Sequence, residues 1–372
     1  MRHVNGRHGI QLNAIESIRG IAALMIVFYH FIKLVKFPLP DALAVISTGL
    51  DLGVPLFYTL SGFVLAYGYA DQLIGRDAIL SFYVRRLFRI MPLFYVMIAL
   101  WTLVGWFLWD AVNSGRTLLF NVSFLFGLAP GEHESIVWAG WSIGVEMLYY
   151  LAFPLLSALL YNVRTSLAGL AVACFLSDYS YRTLGEAGFG SYAYMNVATH
   201  LPFFLAGVVC FRIWQRLDYV RHPSGWALLA CSVGLAAMIN ASSIRAALMT
   251  VVSGHVLLIA WSAVFGTLVL ASCIAENPLL ERGPLRELGK LSFSLYLVHP
   301  ILMAGMMQYD FSGRVSALVG TPDMAFLTGI VLTLALLWAI SSVTFRYIET
   351  PGINLGRRIS SRFRNRRLRT LV

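Results

Sequence analysis

The stretch SIRGIAALMIVFYH, residues Ser17–His30, decides the fold. It is an apolar stretch that carries Arg19 near its start, His30 at its end and no other charge. The basic segment MRHVNGRHG precedes it, as before a first membrane helix. A cleavable leader is the competing reading. The first small-x-small site, Ala42–Ala44, lies too far downstream for that, so a retained span is predicted. On a regular helix Arg19 and His30 face nearly the same way, roughly 16 Å apart along the axis. They can line one cavity at two depths, or serve as a helix anchor and an interfacial histidine. Spacing leaves both readings open.

Composition extends the membrane reading to the whole chain. Of its 372 residues, 58% are hydrophobic and only 12% are charged, about half the usual share for soluble domains. Mean hydropathy is +0.73. The net charge of +10 therefore reads as cytoplasmic anchoring and not as nucleic-acid binding. Cys174, Cys210, Cys231 and Cys273 form no C-x-x-C pair, so neither a disulfide framework nor a metal site is predicted. The expected fold class is all-α, a polytopic transmembrane helix bundle of about ten spans. They lie near 14–36, 50–70, 90–110, 138–161, 165–179, 196–213, 225–241, 248–274, 288–308 and 323–347. Residues 117–130 are too short to span and are expected at the interface or re-entrant. Ten spans place 21 of the 28 Lys and Arg residues on the side of both termini and 6 on the other, which predicts N-in and C-in. The expected organisation is a cytoplasmic N-tail over 1–13, one membrane domain over 14–350, and a polybasic tail over 351–372 that touches anionic lipid.

Ionisable residues inside a bilayer are costly and mark functional sites. Besides Arg19 and His30, three groups stand out. In SFYVRRLFRIMPLFYV, 81–96, Arg86 and Arg89 share a helix face, with Arg85 beside them. They fit a phosphorylated ligand at the cytoplasmic mouth, or ordinary flanking charge. In WAGWSIGVEMLYYLAFPLL, 138–156, Ser142, Glu146 and Tyr149 are read on one face, where Glu146 needs a partner such as Arg19. In GKLSFSLYLVHPI, 289–301, Ser292, Tyr296 and His299 share a face ahead of Pro300. His255 lacks patterned neighbours and is read as structural. Glu16, Arg346 and Glu349 complete the candidates.

Taken together, ESIRGIAALMIVFYH, GVPLFYTLSGFVLAY, FYVRRLFRIMPLFY, WSIGVEMLYYLAFPLL, LSFSLYLVHPI and FRYIETP resemble, in order, the signatures of the acyltransferase 3 family over roughly Glu16–Pro351. One departure is Pro55, where many members carry aspartate; Asp51 lies four residues earlier. The resemblance implies transfer of an acyl group, acetyl by default, from cytoplasmic acyl-CoA to a carbohydrate hydroxyl. The acceptor would be a cell-surface or exported polysaccharide or its lipid-linked precursor, and the setting a bacterial inner membrane. No bound cofactor is expected; acyl-CoA is a co-substrate. His30 is expected as general base and Arg19 as the group stabilising negative charge. Glu146 would orient one of them, and Arg85, Arg86 and Arg89 would bind the donor phosphates. Ser142, Tyr149, Ser61, Tyr296, His299 and Glu349 are supporting candidates. The rival reading is a transporter or flippase of a lipid-linked sugar, against which no inverted repeat is found.

Overall fold

Every regular element in the computed structural model is a helix among the described residues, which are 5–369 apart from 44–46, 48, 218–221, 241 and 251. Arg2, Ala44 and Arg221 fall outside them, as do the extreme ends of the two expected tails. The helices used below are α1 (Asn5–His30), α2 (Gly53–Tyr69), α3 (Arg76–Trp109), α4 (Gly115–Val122), α5 (Trp141–Leu159) and α6 (Val163–Glu186). They continue with α7 (Val197–Arg216), α8 (Ser224–Asn240), α9 (Gly254–Ile274), α10 (Pro284–Gln308), α11 (Pro322–Thr344) and α12 (Thr350–Arg369).

All ten expected spans fall on helices, and among the described residues eight helical segments are long and apolar enough to cross a membrane. The other two are α6 and α8. Helix α6 has 24 residues but carries Arg164, Asp178, Arg182 and Glu186, which lower its hydropathy. Helix α8 is apolar but only 17 residues long. The expected interfacial piece is α4, capped by the Ser114 hydroxyl on the Thr117 amide at 3.0 Å, followed by a short 3-10 turn at Phe126–Leu128. Large apolar side chains such as Phe107, Val331 and Val343 remain exposed, as expected for surfaces that face hydrocarbon.

Two helix contacts position the site. Helices α1 and α10 cross closely at Gly20 and Gly289. A methyl group on Gly20 would stand 2.7 Å from the Gly289 amide nitrogen, so neither position admits a larger residue without moving a backbone. The helices run parallel from that crossing. Ten residues further along each, roughly 15 Å at helical rise, stand His30 and His299. The crossing is tied at its other end by the Glu16–Arg286 ion pair at 3.2 Å and by Ser17 Oγ donating to the Leu280 carbonyl at 2.6 Å.

The second contact joins α3 to α12, antiparallel. Pro92 lacks an N–H, which frees the Phe88 carbonyl inside α3. Gly352 lies against Pro92 and Phe88, and Gly356 against Phe88. Ser360 is fully buried and accepts from Arg85 Nε at 2.9 Å. The expected polybasic tail is thus helical to Arg369, and its first turns are packed along α3.

Candidate active site

Five helices converge on one cavity. Helix α1 contributes Arg19 and α3 contributes Arg86 and Arg89, one turn apart. Helix α2 supplies Phe57, Tyr58 and Ser61; α5 supplies Ser142, Glu146 and Tyr150; α10 supplies Ser292 and Tyr296. The i, i+4, i+8 spacing on α5 lays Ser142, Glu146 and Tyr150 along one stripe.

The charges in this cavity are unbalanced. Glu146 Oε1 accepts from Ser61 Oγ at 2.8 Å and from the Tyr150 hydroxyl at 2.5 Å. The Arg86 guanidinium lies over the rings of Tyr69 and Tyr150, 5.0 and 5.8 Å from their centroids, and its Nε has no hydrogen-bond partner. Among the described residues the ion pairs are Arg116–Glu132, Arg182–Asp178, Arg212–Asp71, Arg286–Glu16 and Lys290–Glu287, none of them in the cavity. Three guanidinium groups therefore face one carboxylate that is held by neutral hydroxyls. Glu349 stands behind them, buried in the π-turn Phe345–Glu349, where it accepts from Ser294 and interacts with Arg89 and Arg19. Thr344 Oγ1 donates to Ser294 Oγ at 2.8 Å and completes that network.

The cavity ends at Tyr296. Its O–H donates to the Ala139 carbonyl at 2.7 Å, and its oxygen accepts from Ser142 Oγ at 2.6 Å. The His299 ring lies 5.7 Å from the Tyr296 ring, and His299 Nε2 is 3.0 Å from His30 Nδ1. His30 does not line the cavity; it stands past Tyr296, beside Tyr29.

A loop over residues 123–140 supplies the Ala139 carbonyl. Phe124, Ser135 and Ala139 in it have positive φ of 59°, 69° and 62°, conformations that L-residues rarely adopt. Asn121 Oδ1 accepts from Ser135 Oγ at 2.7 Å and from the Ile136 amide at 3.0 Å. His133 Nδ1 accepts from the Gly131 amide at 3.1 Å, so its Nε2–H donates to Ser191 Oγ at 3.0 Å. Burial lowers the His133 pKa below its ordinary value of 6.5, against the opposing pull of Glu134.

The structure brings together Arg19, Arg86, Arg89, Glu146, Ser61, Ser142 and Tyr296 among the residues singled out from the sequence. Arg85 turns away to Ser360 on α12. Tyr149 also leaves the stripe. It stacks on Phe204 with ring centroids 3.9 Å apart, and its hydroxyl has no partner. Tyr150 takes the place beside Glu146, because a step of four residues returns closer to the same face than a step of three. Glu146 bonds neither His30 nor Arg19; it is held by Ser61 and Tyr150. Asp51 is exposed in the 3-10 turn that precedes α2. His255 sits apart, stacked on Tyr181 at 4.1 Å with Nε2 3.0 Å from Ser177 Oγ.

Fold and site define a multi-pass membrane protein with a cation-lined internal cavity next to an imidazole pair. A family profile described as "Acyltransferase domain" matches residues 12–342, and the chain belongs to that acyltransferase family. The chain is similar to the O-acetyltransferase OatA of Staphylococcus aureus strain NCTC 8325 / PS 47, 24% identical over 378 residues, covering 91% of this chain and 57% of that protein. SACOL0978 of S. aureus strain COL is 25% identical over 381 residues, covering 91% and 56%. ORF330 of Acidianus two-tailed virus is 32% identical over 170 residues, covering 45% and 47%. The chain thus spans just over half the length of the staphylococcal relatives it matches. No solved structure matches it.

Proposed function

We propose that the chain is a membrane O-acyltransferase of a bacterial inner membrane. It moves an acyl group, acetyl in the first instance, from cytoplasmic acyl-CoA to a hydroxyl of an exported or cell-surface polysaccharide or of its lipid-linked precursor. The observation that carries this reading is the trio Arg19, Arg86 and Arg89, which outnumbers the nearby carboxylates Glu146 and Glu349 and forms no direct ion pair with them among the described residues, converging in a cavity that stops one side chain short of the His30–His299 pair. Cations held out of water without ion pairs are costly and suit a multiply anionic ligand. A coenzyme A thioester carries phosphates at one end and its reactive carbonyl at the end of a long neutral arm. Family membership and the O-acetyltransferase name of the staphylococcal relative support the acyl and hydroxyl chemistry.

In this reading the arginines hold the donor phosphates and the arm runs along Ser142 and Tyr296 toward His30. His30 takes the proton of the acceptor hydroxyl, and the oxygen attacks the thioester carbonyl. The tetrahedral adduct collapses, the C–S bond breaks, and the departing thiolate takes the proton back from His30. Arg19, about 16 Å from His30 along α1, offsets negative charge on the donor phosphates rather than on the adduct. Mass spectrometry of surface glycans from cells with and without the gene tests this, with a His30→Ala strain as the third arm. An O-linked acyl mass is expected only in the first. Identical glycans in all three arms, with the protein present in the membrane, would overturn the proposal.

A further inference from the structure

The two imidazoles are held in an order that hydrogen-bond donors and acceptors can decide. His299 Nδ1 lies 3.2 Å from the Leu295 carbonyl oxygen. Pro300 has no N–H to give the Tyr296 carbonyl, so a second acceptor also faces the His299 ring. Carbonyl oxygens only accept. His299 therefore carries its proton on Nδ1, and its Nε2 presents a lone pair. That lone pair is 3.0 Å from His30 Nδ1, which is also 3.1 Å from the Ile26 carbonyl oxygen. Both neighbours of His30 Nδ1 are acceptors, so the proton of neutral His30 sits there. The reverse arrangement would set lone pair against lone pair at both carbonyls.

We propose that His299 is a positioning residue that fixes His30 as the Nδ1–H tautomer and leaves Nε2 as its basic nitrogen. This rests on the acyl-transfer reading of His30 given above. Nε2–H is the form that a free histidine side chain favours in water, so the site imposes the opposite choice. The chain of bonds ends on carbonyls, so no proton passes beyond His299. His30 Nε2 carries the proton between acceptor hydroxyl and thiolate. His299 contributes orientation, and its lone pair stabilises the imidazolium while it lasts. The parallel register set at Gly20 and Gly289 brings the two rings opposite each other.

The test uses the full chain in nanodiscs with acetyl-CoA and an isolated acceptor glycan. His299→Leu removes the acceptor, whereas His299→Gln returns an oxygen in the place of Nε2. Leu is expected to lower kcat about 100-fold with the KM for acetyl-CoA unchanged, and Gln to restore kcat to within about 10-fold of the parent. Wild-type kcat in His299→Leu, or equal loss in both variants with unchanged KM and melting temperature, would overturn the proposal. Should both variants fail to fold, 15N NMR of histidine-labelled parent protein decides directly. The signal missing from His30→Ala must be that of an Nδ1–H imidazole, and an Nε2–H signal overturns the assignment. Full activity of His30→Ala would instead overturn the acyl-transfer reading, a distinct outcome.

Discussion

The arginine end and the histidine end of the site solve opposite problems. At one end, Arg19, Arg86 and Arg89 form no direct ion pair among the described residues, Glu349 stands behind two of them, and Glu146 is occupied by Ser61 and Tyr150. At the other, His30 and His299 satisfy each other and their own helices. In the proposed reading the first end is unfinished until the donor's phosphates arrive. The second is complete except for one ring nitrogen. In the proposed acyl-transfer reading, binding energy belongs to the first end and the chemical step to the second.

That division breaks most visibly at Arg89. A charge-assisted hydrogen bond contributes about 1.5–3 kcal/mol, and about 1.4 kcal/mol is a factor of ten. Arg89→Gln should raise the KM for acetyl-CoA about 10- to 100-fold and leave kcat within about threefold. Steady-state kinetics in nanodiscs measure both. A fall in kcat at unchanged KM would show that Arg89 serves the reaction and not the donor, and the comparison would collapse.

A smaller effect separates two adjacent tyrosines. Tyr150→Phe removes one of the two donors to Glu146. A net loss of about 1 kcal/mol predicts about a fivefold rise in KM. Tyr149→Phe removes only a buried hydroxyl without a partner, so activity should not change and thermal stability should hold or rise. Equal effects from the two substitutions would mean that Glu146 does not depend on the α5 stripe.

These two residues also mark where the sequence stops being readable. The membrane class, all ten helical segments and most of the polar cavity residues follow from local features: apolar runs, ionisable residues where hydrocarbon is expected, and helical spacing. Arg86 and Arg89 were legible because one turn relates them. Tyr150 was equally legible by its step of four from Glu146, and was lost to a step of three. The turn of Arg85 toward Ser360 depends on how α12 lies along α3, and no spacing within α3 reports that. The meeting of His30 and His299 is of the same kind. It depends on the Gly20–Gly289 crossing between segments 269 residues apart. Non-local register of this sort leaves no periodic mark in one chain.

The weakest predicted effect concerns how firmly the cavity end is closed. The 123–140 loop presents the Ala139 carbonyl to Tyr296, and His133 helps to pin it. His133 Nδ1 accepts from the Gly131 amide, which requires the neutral ring. Burial lowers its pKa in the fold, so the released loop binds a proton more readily than the pinned one. The anchoring is therefore fully present above about pH 6.5 and is lost as pH falls through that value toward the lower folded one. Hydrogen exchange at the Ile136 and Val137 amides, corrected for intrinsic rates, should accelerate a few-fold between about pH 7 and pH 5, with a smaller loss of activity. His133→Asn keeps an acceptor that does not titrate and should flatten the response. Equal protection at both pH values in the parent would mean that Asn121 and the stacking of Trp138 on Trp101 hold the loop without His133. The closure at Tyr296 would then be fixed by packing, and only the arginine end would answer to charge.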